Sequence, residues 1–229
     1  MVKRNWGAYV FEFISIFIAI VAGFALSDWD EDRREINIGI NILQEISNGF
    51  ALDIADININ MKAHSEGIKA CNYFRDIIND KQIDQDSFQR YYAILLSDII
   101  SIQNTGGYES MKSKGFQTIN NESLRFEIIS LYEFDFNVLR KFEEEYYEMQ
   151  FHKNYYKDIN NLISPYFNFD TLGSITSIEM PMKLNDKDKN ILLSYLWKIE
   201  RNRKFMLKQY SGIERKILGT KSKIENELN

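Results

Sequence analysis

Between Trp6 and Leu26 the chain reads WGAYVFEFISIFIAIVAGFAL, an almost unbroken apolar run that stops abruptly at Asp28-Trp29-Asp30-Glu31-Asp32. A helix of about 20 residues, each rising about 1.5 Å, is long enough to span the hydrocarbon core of a bilayer. A transmembrane helix over residues 6–27 is therefore expected, preceded by a short polar tail over residues 1–5. Lys3 and Arg4 would also open a secretory signal. The apolar segment exceeds the roughly 7–15 residues of such a peptide, however, and Leu26, Asp28 and Trp29 stand where small residues are needed for cleavage. An uncleaved anchor is the expectation, with the indoles of Trp6 and Trp29 in the two headgroup zones.

One charge lies inside the run. A carboxylate at the depth of Glu12 costs several kcal/mol unless it finds a partner or reaches the interface. Its neighbours recur by fours and threes: Ala8, Glu12, Ser15, Ala19 and Ala22 share one helix face, and Gly23 completes a small-xxx-small pair with Ala19. Phenylalanines and isoleucines cover the rest. Small faces let membrane helices approach closely, and the chain offers no second span, so self-association through this face is expected.

The remaining sequence is long enough for one core: 229 residues in all, 45% of them apolar. A net charge of −5 argues against a nucleic-acid surface. Two prolines and 11 glycines leave little room for a many-turned β protein. Cys71 is the sole cysteine, which excludes an internal disulfide and a multi-cysteine metal site.

Counted on by fours and threes from Ala22, the register passes through Leu26, Trp29, Arg33, Ile36 and Ile40 and then Leu43, Ser47, Phe50, Ile54, Ile57, Met61, His64, Ile68 and Cys71. That heptad stripe predicts one helix from the membrane to about residue 79, with the intramembrane face in line with the soluble stripe; Gly39 and Gly49 are its weak points. Further amphipathic helices are predicted over about 86–102, 121–163 and 186–227. Gln103 to Asn121 is the most irregular stretch, Asn121 is a candidate N-cap, and Ser174 to Glu179 leans towards a strand. The fold class expected is all-α: a transmembrane helix continuing into the long helix of an antiparallel bundle over residues 28–229.

Two segments resemble an uncharacterised family of bacterial single-span membrane proteins, domain of unknown function 6090. The first is Glu12 with the apolar run and Asp28-Trp29-Asp30-Glu31, which is similar to that family's intramembrane Glu and its closing Asn-Trp-Asn-Glu motif. The second is Gly107-Tyr108-Glu109-Ser110-Met111-Lys112-Ser113-Lys114-Gly115 followed by Asn120-Asn121-Glu122-Ser123-Leu124-Arg125, which is similar to its Tyr-Glu-x-Leu-Lys-x-x-Gly segment and Asn-x-x-Leu-Arg helix start. Phe11 stands where the family has Gly, and Asp28 and Asp30 where it has Asn. The resemblance implies a membrane-anchored helical protein of the bacterial cytoplasmic membrane and implies no enzymatic activity.

The residues themselves supply no catalytic set of nucleophile, base and orienting group, so no enzyme and no cofactor is expected. Gly106-Gly107 to Lys114 lacks P-loop spacing; Lys112, Lys114 and Arg125 are the candidate contacts for an anionic ligand. His64 and His152 lie on apolar stripes of different helices and could meet in the core. Glu143, Glu144, Glu145 and Glu148 beside His152 fall short of a di-iron pattern, because Met149 holds the position three before the histidine. Asp28, Asp30, Glu31 and Asp32 form an acidic collar that an oligomer would arrange as rings favouring cations. The partners expected are the lipid bilayer and further copies of the chain. Two function classes follow: a homo-oligomeric membrane effector or channel with a sensing bundle, or a single-span scaffold or sensor whose bundle binds another protein. Lys3 and Arg4 against Arg33 and Arg34 give a slight bias towards an inside amino terminus.

Overall fold

The computed structural model describes residues 6–228, with side chains from Val10 onward; the polar tail and the side chains of Trp6 and Ala8 lie outside the described residues. The fold is mostly helical. Helix α1 runs from Trp6 to Ile78, 73 residues without a break. Its length is about 110 Å at about 1.5 Å per residue. Among the described residues it alone is long and apolar enough to cross a membrane, and none of its apolar stretch is covered by the rest of the chain. A single span and a signal sequence share that property.

From Ile38 onward α1 becomes the central member of a bundle. Leu43, Ser47, Phe50, Ile57, His64 and Cys71 are buried as the heptad stripe predicts and Ile54, Met61 and Ile68 are half-buried, whereas Ile36 and Ile40 upstream are exposed. The main partner is the last helix, α7, Asp186–Leu228, which packs along α1. The two run antiparallel: Asp80 faces Lys189 at 4.0 Å, Arg75 pairs with Glu200, and His64 lies against Tyr210 with ring centroids 5.5 Å apart. Leu192, Leu196, Ile199, Met206, Tyr210, Ile213, Ile217 and Ile224 are all buried. Each such side chain removed from water contributes roughly 1.5–3 kcal/mol.

The middle of the chain departs from two of the expected helices. Instead of residues 86–102, helix α2 covers Phe88–Leu95, and the chain then crosses α1 as an extended strap over residues 97–105. Helix α3, Gly106–Lys114, lies on α1 through Gly107, where a Cβ would stand 2.7 Å from the backbone nitrogen of Ile46. Gly39 has the same role against the Thr118 carbonyl, so this weak point in helix propensity is a close backbone contact.

The expected helix over 121–163 is interrupted. It starts as predicted, with the Asn121 side chain accepting from the Leu124 N–H at 3.1 Å. Helix α4, Glu122–Ser130, and the short α5, Phe136–Arg140, are each followed by a π-turn, at Leu131–Asp135 and Lys141–Glu145. Tyr146 then turns extended before α6, Phe151–Ile163. Each inserted residue rotates the downstream face. Leu124, Ile128 and Leu131 are buried, and so are Met149 and Ile159 beyond the interruption, but His152, in the first turn of α6, is exposed and stacked on Tyr156 instead of meeting His64. Of the tyrosines at 146, 147, 155 and 156, only Tyr155 enters the core.

The connection to α7 holds an antiparallel hairpin, β1 Phe167–Phe169 with β2 Ile175–Ile178. Phe167 packs edge-on to Phe88 and Tyr92 of α2, and Gln85 exchanges both of its amide hydrogen bonds with the backbone of Ile178.

Candidate functional site

A seam of buried polar groups runs through the bundle where α1, the strap, α5 with its following π-turn, and α7 meet. The strap has no strand neighbour to satisfy its backbone, and buried N–H groups must be paired. Carboxylates supply the acceptors. Ser101 donates its N–H to Glu143 Oε2 at 3.0 Å and its hydroxyl at 2.9 Å. The Ile102 N–H goes to Asp56 Oδ2 at 3.1 Å, and Asn104 donates both its N–H and its side-chain amide to Asp53 Oδ1 at 2.8 Å. Tyr210 of α7 donates its hydroxyl to Glu143, tying the strap to the last helix.

Glu143 and Asp53 are almost fully buried, at 4% and 2% exposure. Burial pushes both carboxyls above the ordinary carboxylate range, against the pull of their hydrogen bonds from Tyr210 and Ser101 and from Asn104. Asp98 closes the strap at its other end, accepting the Phe151 N–H at 2.7 Å and so capping α6.

Arg203 is the largest of the completely buried side chains. Among the described residues no carboxylate forms a salt bridge with it, although the Asp98 charge acts on it and raises its pKa against burial. Its Nη2 donates to the carbonyls of Ile94, Leu95 and Ser97 at 2.9, 3.0 and 3.1 Å, terminating α2 where the apolar pattern alone would continue it. The guanidinium lies 4.5 Å from the centre of the Phe151 ring and directly under Gly67, where a Cβ would overlap it. Burial lowers its pKa to about 10. His64 sits nearby with neither ring nitrogen hydrogen-bonded, and burial, reinforced by the Arg203 charge, lowers its pKa to about 3. Burial also pushes the Cys71 thiol up to about 12, so it is an inert core group.

The residues singled out from sequence are spread over the molecule. Lys112 faces Glu109 and Glu133 at 3.6 and 3.7 Å, Arg125 donates to the Ile119 carbonyl at 2.9 Å, and Lys114 is exposed, so the three do not converge on an anion site. Glu148 pairs with Lys198 at 2.7 Å, and Glu143 is held in the seam. The collar is exposed, with Asp30 beside Arg34 at 3.6 Å and Arg33 over Trp29. In the apolar stretch of α1, Glu12, Ser15, Ala19, Ala22 and Gly23 are all exposed. The Ser15 hydroxyl donates to the Phe11 carbonyl at 2.8 Å and not to Glu12.

The charges of the seam are spent on backbone groups that lock the strap, α2 and α6 to the α1–α7 pair. Comparison with protein-family models, curated proteins and solved structures finds no match.

Two outcomes test this description. Gly67→Ala should destabilise the bundle by about 1–3 kcal/mol through overlap with Arg203. Gly212→Ala, at a helical glycine with open space, should instead stabilise by up to about 1 kcal/mol. Chemical denaturation in detergent reads both, and equal effects would contradict the packing of Arg203. The second outcome concerns pH. His64 is neutral when folded down to about pH 3 but protonates near 6.5 when unfolded, so its contribution is full above about 6.5 and lost as pH falls towards 3. His64→Phe should flatten the fall in thermal midpoint over that window. An unchanged pH profile would contradict the burial of a neutral imidazole.

Proposed function

We propose that the chain is a membrane-anchored, homo-oligomeric helical protein, an effector or channel-forming subunit whose bundle sets the disposition of its span. The observation that carries this reading is the continuity of α1. One helix forms both the apolar N-terminal stretch and the centre of the bundle, with no turn between them to absorb a rotation or tilt. A change in how the strap and α7 grip α1 is thus delivered to the level of the bilayer. There Glu12 and Ser15 lie among small residues on an open face, and in an oligomer they would line the contact or a path between copies.

The family resemblance of the Glu12 and Tyr108 segments supports the same placement, a single span in the bacterial cytoplasmic membrane, and Lys3 and Arg4 against Arg33 and Arg34 give a slight lean towards an inside amino terminus. A sensor or scaffold whose bundle binds a protein is the alternative, and the buried, titratable seam favours a sensing role in either case.

Ion flux through liposomes carrying the full chain tests the proposal. Glu12→Gln should keep assembly and change conductance, and Glu12→Leu should close the path with the oligomer intact. Three equally inert, correctly assembled proteins would replace the channel by the scaffold.

A further inference from the structure

Within the bundle, the side of α1 facing away from α7 and α3 is bare. Between Ile40 and Ile59 its exposed positions include Asn48, Ala51, Leu52, Ala55 and Asn58, and Glu45 is the one charged residue among them. The outward face of α7 is the opposite in character, with Lys204, Lys208, Arg215 and Lys216 exposed. A long solvated helix face ordinarily carries charge of both signs. A face of small, aliphatic and amide side chains matches a helix partner instead.

Helix geometry joins this face to the span. Thirty-six residues make about ten turns at about 3.6 residues per turn, so a residue and its counterpart 36 further on project in the same direction. Glu12 thereby aligns with Asn48 and Ser15 with Ala51. Ala19 aligns with Ala55, and Gly23 with Ile59; all eight are exposed. The heptad register leads from Ala22 to buried Leu43, but a seven-residue period drifts from a straight helix by about 20° per repeat. Over the distance from span to bundle the drift carries the straight face to the open side, leaving the heptad stripe to α7.

We infer that a second copy of this chain covers the open face of α1, the two helices lying parallel and nearly straight from Ala19 to Ile59. The inference rests on the anchored reading, since anchors in one bilayer hold the copies parallel and at one height, where equal faces meet about a two-fold axis. Over Ile40 to Ile59 the face carries one charge, Glu45, so two copies set little like charge against like there and the asparagines can hydrogen-bond across the axis; upstream on the same line, 18 residues before Asn48 and Ala51, Asp30 and Arg33 carry opposite charges.

The test uses the full chain in membranes with buried Cys71 left in place. Ala51→Cys and Ala55→Cys should each form a disulfide-linked dimer on mild oxidation, and Lys208→Cys on α7 should not. The pair Ala51→Glu with Ala55→Glu, at exposed positions, should leave the thermal midpoint of the bundle in place but lower the particle mass in detergent from dimer to monomer. A dimer mass unchanged by the two glutamates, or linking at Lys208→Cys as strong as at Ala55→Cys, overturns the inference. If Ala19→Cys links while residues 51 and 55 do not, the anchors associate with the bundles apart, and only the inference fails. If none of the positions links, the homo-oligomeric reading falls with it.

Discussion

The antiparallel contact between α1 and α7 is the constraint on which the rest of the structure depends. It supplies the apolar wall against which α2, α3 and α6 are too short to stand alone. Embedded in it, Arg203 projects from α7 past Gly67 to hold the carbonyls at the end of α2. A buried guanidinium without a carboxylate is costly, so its three carbonyl bonds and the Phe151 ring must be held in place by the surrounding packing. The same contact places Tyr210 on Glu143 and so fixes the strap.

Two kinds of bond divide the work. Apolar burial joins α7 to α1 along its length, whereas directed polar bonds decide where helices stop. Asp53, Asp56 and Glu143 take up the N–H groups of the strap, and Asp98 takes those that open α6. An unpaired buried donor costs about 1–3 kcal/mol, enough for these carboxylates to override the amphipathic pattern that would extend α2 to residue 102. The seam also sits on the helix that continues without a break into the apolar stretch.

Long, strongly periodic elements were legible in the sequence: α1, α7, the Asn121 cap, and the buried faces of Leu43 to Cys71 and Leu192 to Ile224. What was not legible depends on tertiary partners. Nothing local to residues 96–105 announces that three carboxylates distant in sequence will satisfy its backbone. The π-turns after Ser130 and Arg140 and the break at Tyr146 leave no compositional trace, yet they divide the helix expected over residues 121–163. Arg203 did leave a signal. It stands between Ile199 and Met206 at a core position of the α7 register, a charge where the pattern demands an apolar residue, just as Asp53 and Asn60 stand on the inner face of α1. The span's small face could be read, but its direction relative to the bundle could not, because a count by sevens and a count by turns diverge over the length of α1.

Helix α1 runs as one rigid body from the apolar stretch to the bundle. Spin labels at Phe24 and Ile59, in protein diluted with unlabelled copies, measure this directly by electron–electron resonance. Thirty-five residues of unbroken helix predict a narrow distance distribution centred near about 50 Å. A broad distribution, or one centred well below that distance, would mean that α1 bends between the apolar stretch and the bundle and would contradict its continuity.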